Sequence, residues 1–108
     1  IVAERDNIIT GYACYGPTPL AEGTWDLYWI AVTPELKGHG IGKRLMSTFE
    51  SEVAEAGGRL ILIETSGTTE YEKTRQFYFR FGYTVICRIP DFYSAGDDEI
   101  IFRKVLSR

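Results

Sequence analysis

The densest run of chemically suggestive residues is Lys37-Gly38-His39-Gly40-Ile41-Gly42-Lys43-Arg44. Glycines at this density let backbone N–H groups approach a ligand closely and adopt unusual φ/ψ values. A helix starting there adds first-turn N–H groups without partners and the positive end of its dipole, and Lys37, Lys43 and Arg44 add cationic charge. The chemistry implied is the holding of a phosphate. Two better-known phosphate loops do not fit. A P-loop needs G-x-x-x-x-G-K-[ST], whereas Gly42-Lys43 is followed by Arg44 and Lys37 stands at the first glycine position. A dinucleotide fingerprint G-x-G-x-x-G begun at Gly38 or Gly40 would put its third glycine on Lys43 or Leu45.

Other reactive side chains are sparse. His39 is the single histidine, so a His-based triad or a zinc cluster would have to be built on it; it reads better as an exposed residue of the turn, and no metal is expected. Cys14 and Cys87 have neither C-x-x-C nor metal-ligand spacing and read as buried free thiols in a reducing cytoplasm. The stretch Ile89-Pro90-Asp91-Phe92-Tyr93-Ser94-Ala95-Gly96-Asp97-Asp98 is acidic and aromatic, which suits a cationic partner. Trp25, Tyr28, Trp29, Phe92 and Tyr93 could line a pocket or fill the core.

These residues need a scaffold, and the chain has length for one domain. Its 108 residues are 44% hydrophobic and 25% charged, with net charge -3. That balance argues against disorder and against a general nucleic-acid binder, which usually carries a basic face. No apolar run approaches the roughly 20 residues of a membrane span, and no secretory signal opens the chain. The first residue is Ile1 and not Met, which suggests an upstream part that is missing or removed.

Ile1-Val2-Ala3 and Ile8 to Tyr15 read as hairpin arms, and Thr24 to Val32 as a strand ending before Pro34. The continuous apolar run from Leu27 to Val32 suggests a strand covered on both faces. Ile41, Leu45, Phe49 and Val53 recur every fourth residue, so the spacing predicts a helix over 41–56 that Gly57-Gly58 stops. Leu60 to Ile63 follows as a short buried strand. Strand, helix and strand form a βαβ unit whose strands should be parallel and adjacent or nearly so. A second helix is predicted over 70–81, then a strand over 84–89 up to Pro90, a loop over 91–98 and a last strand over 100–106. The fold class is α/β with a mixed sheet.

Against this frame the turn fits the pattern R/Q-x-x-G-x-G/A, and the sequence resembles the GNAT acetyltransferase superfamily. Lys37-Gly38-His39-Gly40-Ile41-Gly42 follows Trp29-Ile30-Ala31-Val32-Thr33-Pro34-Glu35, similar to the family's strand into its acetyl-CoA loop, with Lys37 in place of Arg or Gln. The second signature, F-Y-x-x-x-G-F/Y, is matched by Phe77-Tyr78-Phe79-Arg80-Phe81-Gly82-Tyr83. The resemblance covers essentially the whole chain and implies one N-acetyltransferase domain over 1–108, lacking the family's N-terminal strand and helices. It further implies a mixed, mainly antiparallel sheet with a central β-α-β acetyl-CoA unit, whose two parallel strands splay apart around the pantetheine arm.

On that resemblance, Ile30, Ala31 and Val32 would meet pantetheine, and Lys37, Gly38, His39, Gly40, Ile41, Gly42 and Lys43 would hold the pyrophosphate. The cosubstrate would be acetyl-CoA. Tyr78 stands where the family carries the acid for the departing thiolate. Asp26 stands where some histone-type members carry a catalytic glutamate, with Glu64 as the alternative base. Tyr71 and Thr74 replace the Asn and Ala that members often carry. The resemblance implies acetyl transfer to a small-molecule or peptide amine in a ternary complex, in the cytoplasm, with no nucleic-acid or membrane partner and with a homodimer allowed. A non-catalytic CoA-binding domain and an acyltransferase using a longer acyl-CoA are the alternatives.

Overall fold

The structure is a computed structural model that describes residues 1–6, 8–33 and 40–106. Its elements are β1 (Val2–Arg5), β2 (Ile8–Pro17), β3 (Thr24–Val32), α1 (Ile41–Glu55), β4 (Leu60–Ser66), a 3-10 turn (Thr69–Tyr71), α2 (Glu72–Arg80), β5 (Thr84–Ser94) and β6 (Asp97–Val105). The strands form one sheet in the order β1-β2-β3-β4-β6-β5. Every pairing is antiparallel except β3 with β4, the two strands that α1 connects. The βαβ expectation therefore holds.

Both helices pack on one face of the sheet. Leu45, Met46, Phe49 and Val53 are the buried residues of α1, and their 3.6-residue periodicity places them on one stripe. Met46, Phe49 and Val53 join Ala13, Leu27, Ile61, Ile63, Ile100 and Phe102 from the strands, with Tyr78 and Tyr83, in a single core cluster. On β4 the odd positions Ile61 and Ile63 face the helices, while Leu60 and Leu62 are half-buried and Glu64 is exposed on the other face.

The C-terminus of α2 is fixed where it matters for Tyr78. The N–H of Tyr83 donates to the Tyr78 carbonyl at 3.1 Å and that of Gly82 to Phe79 at 3.0 Å, with Gly82 at φ 89°. This is a left-handed helix stop, favoured by glycine because it carries no Cβ. It turns the Tyr83 ring back into the core beside Tyr78, with ring centroids 6.2 Å apart. There the Tyr83 hydroxyl donates to Glu50 Oε2 at 2.7 Å, and Lys104 Nζ donates to the same carboxylate at 2.9 and 3.1 Å. These contacts lock α1, the end of α2 and β6 together.

Three expectations change. The segment 91–98 is not a loop: β5 runs through Pro90 to Ser94, and β6 starts at Asp97 after a turn at Ala95-Gly96. Strand β5 is an edge, where a missing N–H costs little, and carboxylates fill the irregular stretch. Asp98 Oδ1 accepts from the Asp91 N–H at 2.9 Å, and Asp91 Oδ1 from the Gly96 N–H at 2.7 Å. Cys14 and Cys87 lie in strands but are exposed. Cys14 alternates with buried Ala13 and so faces away from the helices, whereas Cys87 belongs to a strand exposed along its whole length. The second half of β3 is also not covered on both faces: Tyr28 is 53% and Trp29 57% exposed. Its loss of β4 as a neighbour explains part of that exposure.

Candidate active site

The parallel pairing of β3 with β4 runs from Thr24↔Leu60 to Leu27↔Ile63 and stops. Both strands continue, β3 to Val32 and β4 to Ser66, with no further pairing to each other. Beyond Leu27 the sheet is split. On its other side β3 still pairs with β2, up to Gly11↔Val32. The Thr33 N–H donates to Thr10 O at 2.8 Å, toward β2. Strand alternation then turns the N–H and C=O of Val32 and Ile30 the opposite way, into the split. Ala31 turns its backbone to β2.

The split opens into a cleft of about 770 Å³, walled by Ile30, Ala31 and Val32 of β3, by Gly40, Ile41, Gly42 and Lys43 at the start of α1, and by Lys73, Thr74, Phe77, Arg80 and Phe81 on α2. Gly40 caps α1 at φ 80°, ψ 6°, with no side-chain cap bond and no acidic residue in the first turn. The helix ladder begins with the Arg44 N–H on Gly40 O at 3.0 Å, so the N–H groups of Ile41, Gly42 and Lys43 have no partner within the helix. Gly42 keeps the floor open: a Cβ there would sit 3.6 Å from the Phe77 ring and 3.7 Å from Val32 Cγ2. Lys43, Lys73 and Arg80 put positive charge around the cleft. A polar backbone edge, free helix N–H groups and three cations match an extended amide-bearing chain ending in phosphates. Lys37, Gly38 and His39 lie outside the described residues. Lys73 and Arg80 were not singled out in the sequence; their spacing of seven residues, two helical turns, was the available signal.

Tyr78 is on α2 but does not line that cleft. It is 4% exposed, and its ring packs edge-on against Phe102 at 5.5 Å. Burial pushes the phenol up to about 12, so the group is neutral at every physiological pH. No hydrogen bond joins its hydroxyl to another described residue. Asp26 lies in the paired part of β3 opposite Leu62, with its Oδ2 accepting from Thr18 Oγ1 at 2.8 Å. Glu64 is the first β4 residue beyond the last pair with β3. Its carboxyl is raised above the usual range by partial withdrawal from water, then by the Glu99 and Asp26 carboxylates and a hydrogen bond with Glu99. Tyr78 belongs to the helix face of the sheet and Glu64 to the opposite face.

A sheet split at a parallel pair, beside a bare glycine-capped helix start, defines the class. The chain belongs to the GNAT acetyltransferase family: residues 1–85 match the family described as an acetyltransferase (GNAT) domain. A crystal structure from Desulfovibrio desulfuricans, assigned to the same family, is 47% identical and superposes with a TM-score of 0.96 over 98% of this chain and 67% of that one. An uncharacterized N-acetyltransferase of Methanocaldococcus jannaschii is 29% identical over 95% of this chain, which spans 64% of that relative's length. A Salmonella typhimurium structure with its cofactor acetyl-CoA, 20% identical, shares the fold with a TM-score of 0.84 over 99% of this chain and 64% of that one. Among the described residues no helix is long and apolar enough to cross a membrane.

Proposed function

We propose that the protein is an acetyl-CoA-dependent N-acetyltransferase that acetylates a primary amine by direct attack in a ternary complex. The observation that carries this reading is the split itself, where the pairing of β3 with β4 stops, with one candidate proton-handling group on each face of the sheet. Acetyl-CoA supplies the activated acyl thioester. Ile30 and Val32 offer backbone N–H and C=O groups to its pantetheine arm as a missing neighbour strand would. The first-turn N–H groups of Ile41, Gly42 and Lys43 hold the pyrophosphate with Lys37, Gly38 and His39, and Lys43, Lys73 and Arg80 balance the remaining charge.

An amine arrives as an ammonium and must lose a proton before its nitrogen can attack. Glu64, at the mouth of the split on the open face, takes that proton, and Asp26 contributes charge beside it. As the C–N bond forms and the C–S bond breaks, the Tyr78 hydroxyl hydrogen-bonds to the departing thiolate. The thiol's ordinary pKa is about 8.5, so a phenol at about 12 serves best as a donor that gives up its proton only as sulfur charge develops. The second proton leaving nitrogen restores the phenol. Electrons and protons balance as ammonium plus thioester giving amide, thiol and one released proton.

The test is a thiol-release assay with acetyl-CoA against a panel of primary amines, with the acetylated amine identified by mass spectrometry. Stoichiometric thiol and amide with at least one amine is the expected outcome. Absence of both CoA binding and thiol release with every amine would overturn the reading.

A further inference from the structure

We propose that Arg75 is a positioning residue for the acetyl-CoA slot: reaching from α2, its guanidinium takes the Ser66 carbonyl on the β4 edge of the split and so fixes how far α2 stands from β3. The inference rests on the acetyl-transfer reading above and concerns a residue that its chemistry does not touch. It starts from backbone direction. The Leu60 N–H donates to Gly23 O at 3.1 Å, toward β3, and the Gly67 N–H to Asp98 O at 2.9 Å, toward β6. Strand alternation then turns the N–H and C=O of Leu62, Glu64 and Ser66 toward β3 as well. The pairing with β3 has ended at Ile63, so the Ser66 carbonyl looks into the split.

Arg75 meets it there. Its Nη1 donates to Ser66 O at 2.9 Å and to Thr68 O at 2.7 Å. Hydrogen bonds from an ionised donor are the stronger kind. The two carbonyls belong to a firm base. The hydroxyl of buried Ser66 donates to Asp97 Oδ1 at the start of β6, and the Thr68 N–H donates to Ser66 Oγ at 3.2 Å. The Ser66 and Thr68 hydroxyls lie 3.0 Å apart. The Thr68 carbonyl also accepts from the Tyr71 N–H at 3.1 Å, inside the 3-10 turn. Among the described residues the salt bridges are Arg88 with Asp98 and Lys104 with Glu50, so the Arg75 charge is directed at carbonyls and not at a carboxylate.

Helix α2 needs such a tie. Tyr78 is its buried side chain, while Phe77, on α2, and Phe81, just past its end, are only partly buried against the core. Its C-terminal end is held by the Gly82 stop and by the Tyr83–Glu50–Lys104 contacts. Its first half carries the cleft walls Lys73 and Thr74, and no side-chain cap bond secures its first turn. Among the described residues no other side chain of α2 makes a hydrogen bond. Arg75 thus ties the free half of α2 to the end of β4, one helical turn before Tyr78. A helix held there stays clear of β3, and the pantetheine arm enters a gap of set width. With the Ser66 carbonyl already bonded, an N–H of the arm finds its acceptor on β3.

The test compares wild type, Arg75→Ala and Arg75→Lys by calorimetry with two ligands: CoA, and 3′-phospho-ADP, the nucleotide half of CoA without its pantetheine arm. Losing both bonds loosens the wall that pantetheine meets, so Arg75→Ala should bind CoA roughly 10-fold more weakly. Its affinity for 3′-phospho-ADP should stay within about twofold, because the first-turn N–H groups of α1 are untouched. Lysine keeps the cation but not the fork, so Arg75→Lys should lose about threefold for CoA alone. The nucleotide also controls for charge: attraction to phosphates lost with Arg75 would weaken both ligands alike. An Arg75→Ala protein of lower Tm with unchanged CoA affinity would overturn the proposal and leave Arg75 a structural residue, as would equal losses for the two ligands. If Arg75→Ala does not fold, Arg75→Lys decides: CoA affinity equal to wild type overturns the proposal, and a loss confined to CoA supports it. Failure of the acetyl-transfer reading is distinguishable, because it would show in the wild type as absent CoA binding together with absent thiol release, and this proposal would fall with it.

Discussion

Replacing Gly42 by alanine should strengthen the fold and weaken the ligand. Gly42 is the second residue of α1 and needs no left-handed φ. A methyl there would lie 3.6 Å from the Phe77 ring and 3.7 Å from Val32 Cγ2, ordinary contact distances that the free protein accepts. Alanine also removes the excess freedom glycine has in the unfolded chain, worth about 0.5–1 kcal/mol in a helix. For a domain of this size that raises Tm by about 2–6 °C. The same methyl occupies the gap between Val32 and Phe77, both walls of the cleft. A phosphate or pantetheine group drawn onto the first-turn N–H groups is pushed away, losing one charge-assisted hydrogen bond of about 1.5–3 kcal/mol, or roughly 10- to 100-fold in affinity. Differential scanning fluorimetry and CoA calorimetry on one preparation read both numbers. A Gly42→Ala protein with higher Tm and unchanged Kd would put the ligand elsewhere. A lower Tm would refute the packing argument at Gly42.

Tyr78→Phe should slow single-turnover acetyl transfer by roughly 10- to 1000-fold with little change in CoA Kd or Tm, since the hydroxyl bonds to no other described residue; stopped-flow thiol release checks this. Gly40→Val places a β-branched side chain at φ 80° and should cost about 1–2 kcal/mol in denaturant titrations while abolishing CoA binding. Stability should fall as pH rises from 10 to 12, because Tyr78 at about 12 keeps a proton that the unfolded chain releases near the ordinary phenol value of about 10. The loss attributable to it approaches about 3 kcal/mol and should be absent from Tyr78→Phe in urea titrations across that window. Glu50→Ala removes the acceptor of the Tyr83 hydroxyl and of Lys104 and should cost roughly 2–3 kcal/mol without altering CoA affinity.

Much of the scaffold was legible because it follows local rules. The four-residue recurrence of Ile41, Leu45, Phe49 and Val53 marked α1, and the tight strand-helix-strand succession forced β3 and β4 to be parallel. Short-range chemistry misled at the end of the chain, where Pro90, Gly96 and three aspartates, Asp91, Asp97 and Asp98, suggest a loop. An edge strand tolerates the proline, and Asp91 and Asp98 supply hydrogen bonds that the irregular ladder lacks. The cysteines show a different limit: a strand can be assigned without knowing which face is covered. The split behind Leu27 was expected from family resemblance, since pairing that stops after four residues leaves no mark in composition. Glu99 was invisible for a related reason. Its proximity to Glu64 depends on the β4–β6 register, which joins residues 35 positions apart.

The central claim is that an acetyl-CoA chain lies in the split as a surrogate neighbour of β3. Amide hydrogen exchange of the protein with and without CoA, read at single residues by NMR, tests it most directly. The N–H groups of Ile30 and Val32, which face the split, should exchange markedly more slowly when CoA is bound, together with those of Ile41 and Gly42, whereas the Thr33 N–H, already bonded to Thr10 O at 2.8 Å, should change little. CoA that binds without slowing exchange at Ile30 and Val32 would contradict the account.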